Sequence, residues 1–213
     1  MLSQESIAFL KKLLDTPGPS GFESNAANVW RDEARKVVEL AGDVAANSVA
    51  IVNKGAPVTV MLAGHIDEIG VIATWIDDEG FAWIGPIGGW DPQVLVGQRI
   101  RFAGRDGDVL GVVGRKAIHH IRKEDREKAV KFEDLWVDIG ASSRIEAESR
   151  ISVGDAGVID TRVIDLPNGR IASRSIDDRI GAFVVLEALR RYAERPGAAA
   201  VAAVATTQEE IGF

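Results

Sequence analysis

The sequence predicts an α/β fold, a helix-covered mixed sheet interrupted by an inserted β-rich domain. Three observations carry that prediction. Helical periodicity and an apolar strand occupy the first 68 residues. From about residue 69 to 165 short strands alternate with turn signals. Helical patterning and a second apolar strand then return and run to residue 213. The expected organisation is therefore 1–68 as the first part of one domain, 69–165 as the insert, and 166–213 as the second part.

Taken in order, residues from about Ser3 to Leu14 read as a helix, with Ser3 as N-cap and Ile7, Leu10, Leu13 and Leu14 on one face. Pro17-Gly18-Pro19-Ser20-Gly21 breaks it, since proline cannot continue the hydrogen-bond ladder. A second helix is expected from about Asn25 to Leu40, burying Ala26, Val29, Trp30, Val37 and Val38. Val44 to Asn53 reads as a strand, and Gly55-Ala56-Pro57 as a turn. Val58 to Ala63 reads as a strand apolar on both faces, the pattern of a central strand covered by helices. In the insert, Asp77-Asp78-Glu79-Gly80 separates the strands Ile69 to Ile76 and Phe81 to Ile84. Arg105-Asp106-Gly107-Asp108 separates Arg99 to Gly104 from Val109 to Gly114, so a small barrel or sandwich is expected. The charged stretch Lys123 to Phe132 reads as a solvated loop or short helix. Asp178 to Arg191 reads as a helix, with Ile180, Val184, Leu186, Leu189 and Tyr192 able to face a core, and Ala198 to Ala205 as an apolar strand.

Composition narrows the function. With 213 residues, 46% of them hydrophobic and 27% charged, the chain has enough apolar mass for a proper core and is no disordered tail. A net charge of −7 argues against nucleic acid as a partner. No apolar run approaches a membrane span, and Met1-Leu2-Ser3-Gln4-Glu5 has neither a basic cluster nor an apolar core, so no signal peptide and no membrane partner are expected. The absence of cysteine excludes thiolate zinc sites and fits a reducing, cytoplasmic setting. Only three histidines are present, so any metal site leans on carboxylates.

Three polar clusters sit at element ends, where ligands bind in open α/β sheets. The first is Gly64-His65-Ile66-Asp67. His65 can offer a ring nitrogen to a metal while Asp67 holds the other nitrogen, or it can make an ordinary strand-end hydrogen bond. The second is Ser175-Ile176-Asp177-Asp178-Arg179. Asp178 can be a helix N-cap, or the two carboxylates can bridge and orient cations, with Arg179 as a nearby positive group. The third is Thr206-Thr207-Gln208-Glu209-Glu210, where neighbouring side chains point apart, so one glutamate can bind metal and the other act as a base. Its alternative is a solvated acidic turn. Together, one histidine and several carboxylates suit zinc, cobalt or manganese in a hydrolytic site, with a free glutamate to take a proton from water.

Four segments resemble the M42 metallo-aminopeptidases, the group that includes the tetrahedral (TET) aminopeptidases. They are Pro19-Ser20-Gly21-Phe22-Glu23, Gly64-His65-Ile66-Asp67-Glu68-Ile69-Gly70, Ser175-Ile176-Asp177-Asp178-Arg179-Ile180-Gly181 and Gln208-Glu209-Glu210-Ile211-Gly212. Gly88-Gly89-Trp90-Asp91-Pro92, Gly111 to His119 and Asp138-Ile139-Gly140-Ala141 resemble that family's β-barrel dimerisation domain. The resemblance implies a zinc-peptidase-like catalytic domain with the insert as a barrel. It implies His65, Asp177 and Glu210 as metal ligands, Asp177 bridging two divalent ions (zinc or cobalt), a cis Asp177–Asp178 peptide, Glu209 as general base and Asp67 as the orienting carboxylate. The implied reaction is hydrolysis of N-terminal residues from peptide substrates by a homo-oligomer of dimers that assemble into a larger shell.

The same resemblance implies a further aspartate and a further histidine ligand beyond residue 213, and these two expected ligands are missing from the sequence. The chain is accordingly expected to be truncated and catalytically impaired, with His119 and His120 structural or interfacial. The alternative is a non-catalytic assembly subunit that keeps the oligomerisation domain. A carboxylate-pair glycosidase explains the adjacent Glu209 and Glu210 poorly and leaves His65 and Asp67 without work.

Overall fold

The computed structural model describes residues 2–212, apart from the side chain of residue 125. They form two compact units, 2–68 with 161–212 and 69–160. Helix α1 (Gln4–Asp15) starts at Ser3, whose hydroxyl accepts the Ser6 amide, and buries Phe9, Leu10, Leu13 and Leu14. Ile7, expected on that face, is exposed, and Phe9 takes its place. Helix α2 (Ser24–Ala34) ends six residues before the expected Leu40. The Ala34 carbonyl takes the amides of both Val37 and Val38, the chain turns, and Leu40 enters strand β1 (Leu40–Gly42). The strand expected from Val44 begins only at β2 (Ser48–Val52), because the Asp43 carboxylate accepts the Ala45 and Asn47 amides and holds that stretch as a turn. Strand β3 (Thr59–His65) carries its ladder through His65.

The insert is a closed six-stranded barrel rather than a sandwich. Its strands are β4 (Gly70–Ile76), β5 (Ala82–Ile87), β6 (Arg99–Gly104), β7 (Gly107–Arg115), β8 (Leu135–Asp138) and β9 (Ala156–Ile159), closing in the order β4-β5-β8-β7-β6-β9. Both expected hairpins form, the second tighter than expected, with Gly104 opposite Gly107 across Arg105-Asp106. Closure removes the free edges that short strands would otherwise expose. Val71, Ile100, Phe102, Leu135 and Val137 are among the side chains that fill the interior. The stretch from Lys123 is a largely exposed loop with one 3-10 turn at Lys123–Asp125. Helix α3 (Arg144–Arg150) was not anticipated, although Ser143 followed by Glu146 is a capping signal and the Ser143 hydroxyl does accept the Glu146 amide.

Residues 161–165, assigned with the insert from sequence, lie in the first unit, where the Val163 amide donates to Asp15. A hairpin of β10 (Ile164–Leu166) and β11 (Arg170–Ala172) leads to helix α4 (Ile176–Glu194) and strand β12 (Ala200–Thr206). The sheet order is β1-β2-β12-β3, with β12 antiparallel to β2 and parallel to β3, a mixed sheet as expected. Strand β3 is not central: among the described residues it is an edge, with Val60 and Met61 exposed. An apolar pattern reports what a strand is able to bury, not which strands lie beside it.

Helices α1, α2 and α4 share one core with this sheet, built on Leu13, Leu14, Trp30, Phe183 and Leu186. Trp30 also donates its indole N–H to the Ala182 carbonyl at 2.8 Å. Helix α4 reaches β3 so closely at Gly64 that a Cβ there would lie 2.5 Å from the backbone of Gly181 and Ala182. Gly64→Ala is expected to push α4 off the sheet and cost about 2–3 kcal/mol in urea unfolding. An unshifted midpoint would contradict this packing.

Candidate metal centre

Three segments of the first unit end at one place. Strand β3 delivers His65 as its last residue, in register with Thr206 at the end of β12. The Ile66 amide still donates to the Thr206 carbonyl, so the segments leaving the two parallel strands depart side by side. The first carries Asp67 and the second Glu209 and Glu210. The first turn of α4 supplies Asp177, and the Asp177–Asp178 peptide is cis.

One donor atom each from His65, Asp177 and Glu210 lie within 4.8 Å of one another, the one such group among the described residues. His65 Nε2 stands 3.3 Å from Asp177 Oδ1 and 3.5 Å from Glu209 Oε2. On the other side of the ring, Nδ1 lies 3.3 Å from Asp67 Oδ1. That approach falls short of a well-directed hydrogen bond, and neither buried atom has another partner. Asp67 is fully buried and commits Oδ2 to the Ser20 hydroxyl at 2.6 Å and the Glu210 amide at 3.1 Å.

The charges follow from this crowding. Burial alone would lower the His65 pKa, but the Asp67 carboxylate, with Glu209 and Asp178 behind it, lifts it to about 9. Burial would raise Asp67, yet His65, the Ser20 hydroxyl and the Glu210 and Glu209 amides hold it at about 2. Burial raises Glu210; the His65 imidazolium opposes this, while Asp177, Asp67 and Glu209 add to it. An imidazole surrounded by carboxylates is a donor set for a divalent cation. Bonds of about 2.1 Å at tetrahedral angles separate donors by about 3.4 Å, within reach of this spacing. The residues present fit such an ion.

Every site residue singled out from sequence, His65, Asp67, Asp177, Glu209 and Glu210, is thus gathered here. Asp178 is not a donor to the cluster: its Oδ1 accepts the Gly181 amide and caps the regular part of α4. Arg179 is not a counter-ion to the two aspartates, as its sequence position suggested. Helical direction turns it inward, where it is fully buried and paired with Glu68 at 3.0 Å. His119 and His120 lie in the barrel unit, exposed, with ring centroids 4.2 Å apart. Sequence reasoning assigned no role to Ser20, Glu23, Asn47 or Glu68. Ser20 and Glu23 belong to a segment that had stood out, but nothing there shows which distant amide or carboxylate each would meet.

The chain is similar to peptidases of known sequence and structure. The family model described as M42 glutamyl aminopeptidase matches residues 47–213. The lysyl aminopeptidase of Pyrococcus furiosus is 35% identical over 213 residues, covering 96% of this chain and 59% of that protein. The crystal structure of the TET aminopeptidase from the marine sediment archaeon Thaumarchaeota archaeon SCGC AB-539-E09 superposes with a TM-score of 0.94 at 35% identity, covering 98% of this chain and 60% of that one. A Pyrococcus horikoshii TET1 peptidase, described as able to assemble into a tetrahedron or a large octahedral shell, superposes with a TM-score of 0.87 at 29% identity, covering 97% of this chain and 62% of that one. The chain therefore spans about 60% of the length of these relatives.

Proposed function

The chain belongs to the M42 glutamyl aminopeptidase family, and from that premise we propose that it serves metal-dependent hydrolysis of N-terminal residues from peptides. The observation that carries this reading is the meeting of His65, Asp177 and Glu210 donor atoms within 4.8 Å, with Glu209 beside them. His65, Asp177 and Glu210 would hold the metal. A divalent ion supplies the positive charge that polarises a scissile carbonyl and acidifies a water. Glu209, whose side chain is 44% exposed, is free to receive that water's proton. Asp67 fixes the plane and tautomer of the His65 ring from its buried position.

Among the described residues the cluster has three members, fewer than two tetrahedral ions share. Hydrolysis by these 213 residues alone is therefore expected to be weak even where metal binds. Zinc or cobalt suits this donor set. A homo-oligomer of dimers assembling into a shell is part of the same reading, supported by the assemblies described for the P. horikoshii relative. A cytoplasmic setting, supported by the cysteine-free composition, is also part of it. No helix among the described residues is long and apolar enough to cross a membrane.

The reading is tested by titrating the metal-free chain with Co2+ and Zn2+ and assaying release of N-terminal residues from short peptides. At least one ion is expected to bind, and His65→Ala is expected to weaken binding about 100-fold or more. Any peptide hydrolysis is expected to disappear in Glu209→Gln while metal binding persists. A folded chain that takes up neither ion would leave the assembly-subunit reading in its place.

A further inference from the structure

We propose that Glu23 and Asn47 are positioning residues that hold the turn Thr207–Glu210, and so set the direction of Glu209 and Glu210, through hydrogen bonds to that turn's own backbone. The inference rests on the metal-site reading above and assigns work to residues that touch neither metal nor substrate.

Strand β12 ends at Thr206, and two residues later Gln208 takes a left-handed conformation, φ +61°. Such a conformation is uncommon for a residue with a Cβ and needs support from outside the turn. The amides that leave a strand also lose their ladder partners and need acceptors. Each finds one in a different segment. The Thr207 amide donates to Asn47 Oδ1 at 3.0 Å, and the Thr207 hydroxyl lies 3.2 Å from the same oxygen. The Gln208 amide donates to Glu23 Oε1 at 3.1 Å. The Glu210 amide donates to Asp67 Oδ2, the carboxylate that faces His65. The turn is therefore held at three points.

The two supports are themselves fixed. Glu23 is 3% exposed, and its Oε1 also accepts the Gly21 amide at 2.8 Å. A carboxylate this deeply buried is retained where charge-assisted bonds use it. The Asn47 amide group donates to Asp43 Oδ2 at 2.9 Å, which turns its oxygen toward Thr207. Without the Glu23 contact Gln208 is free to relax toward an extended conformation. The two glutamates that follow would then leave the neighbourhood of His65, to which Glu209 now stands 3.5 Å.

The test compares wild type, Glu23→Ala, Glu23→Gln and Asn47→Ala by Co2+ titration, by the visible spectrum of the bound cobalt and by thermal melting of the metal-free chain. Loss of a hydrogen bond behind a ligand typically weakens metal binding about 10–100-fold. Glu23→Ala is expected to show that loss and an altered cobalt spectrum, with a metal-free melt that is lowered but still cooperative. Glu23→Gln, whose amide oxygen still accepts both amides, is expected to stay within about threefold of wild type. Wild-type affinity and spectrum in Glu23→Ala overturn the proposal. Should that variant not fold, Asn47→Ala decides: an altered spectrum supports the proposal and an unchanged one overturns it. Failure of the wild type to bind cobalt overturns the metal-site reading itself, and is seen before any variant is made.

Discussion

Arg179→Leu is expected to cost the first unit about 3–5 kcal/mol, a large fraction of the stability of an ordinary domain. The guanidinium is fully buried and spends its donors on six acceptors: the carbonyls of Ile66, Leu13, Thr16 and Gly18, the Ser175 hydroxyl and the Glu68 carboxylate. Burial lowers the Arg179 pKa, and the Glu68 charge opposes that. Glu68, 2% exposed, also accepts the Gly18 amide and pairs with Arg174 at 3.2 Å. Leucine fills part of the space but takes the donor from the carbonyls of Ile66, Leu13 and Thr16, a loss of roughly 1–3 kcal/mol for each one left unpaired in the interior, while the Gly18 carbonyl keeps the Glu68 amide. It also leaves Glu68 with one cation where it had two. Arg179→Lys is not expected to rescue, because a single ammonium cannot span acceptors spread across a planar fork. Urea unfolding of the two variants and of Arg179→Leu with Glu68→Leu measures this. The double variant is expected to lose less than the sum of the single losses, since both members of the pair leave together. A loss below about 1 kcal/mol for Arg179→Leu would show that water or other groups replace the guanidinium.

That arginine also marks where sequence reading stops. Donors at strand ends announced themselves: His65 closes an apolar strand, and Glu209 and Glu210 follow another, so topology alone brings them together. Helix α1 was equally legible, because a cap and a repeating apolar face are local signals. The barrel hairpins were legible for the same reason, their turn residues lying between the strands they join. Arg179 was not, since its neighbours in sequence are two aspartates and its partner in space is Glu68, 111 residues earlier. Nor were Glu23 and Asn47, which each serve a turn amide at least 160 residues away through contacts that leave no periodic trace. Strand β3 failed for a different reason. Its apolar faces led to the expectation of a central strand, while Val58, Val60 and Met61 are exposed along the edge it forms.

Metal uptake by the His65 cluster is expected to strengthen about tenfold for each pH unit from about 6.5 toward 9, and to level off above that. The metal-free imidazole carries a pKa near 9, so at neutral pH it is a cation. A cationic imidazole cannot ligate, and each binding event must first release its proton. Titration calorimetry at pH 7 in two buffers of different ionisation enthalpy is expected to report close to one proton released per ion bound, and near zero in His65→Asn. The same shift predicts the opposite slope for the stability of the metal-free chain. A group whose folded pKa lies above its ordinary value of 6.5 stabilises fully below that value, and the benefit fades as pH rises through about 9. The metal-free melting temperature should therefore fall between pH 6.5 and 9. Asp67 works in the other direction, with a folded pKa near 2, so its contribution is present above about 4 and is lost only as the pH drops through 2. Between these limits the imidazolium and the Asp67 carboxylate stabilise each other in the metal-free chain. On the metal-site reading a bound ion would take the imidazole, and Asp67 would stay opposite Nδ1 to accept its proton's hydrogen bond. Metal binding that releases no proton at pH 7 would mean that His65 is already neutral there, or that it is not a ligand.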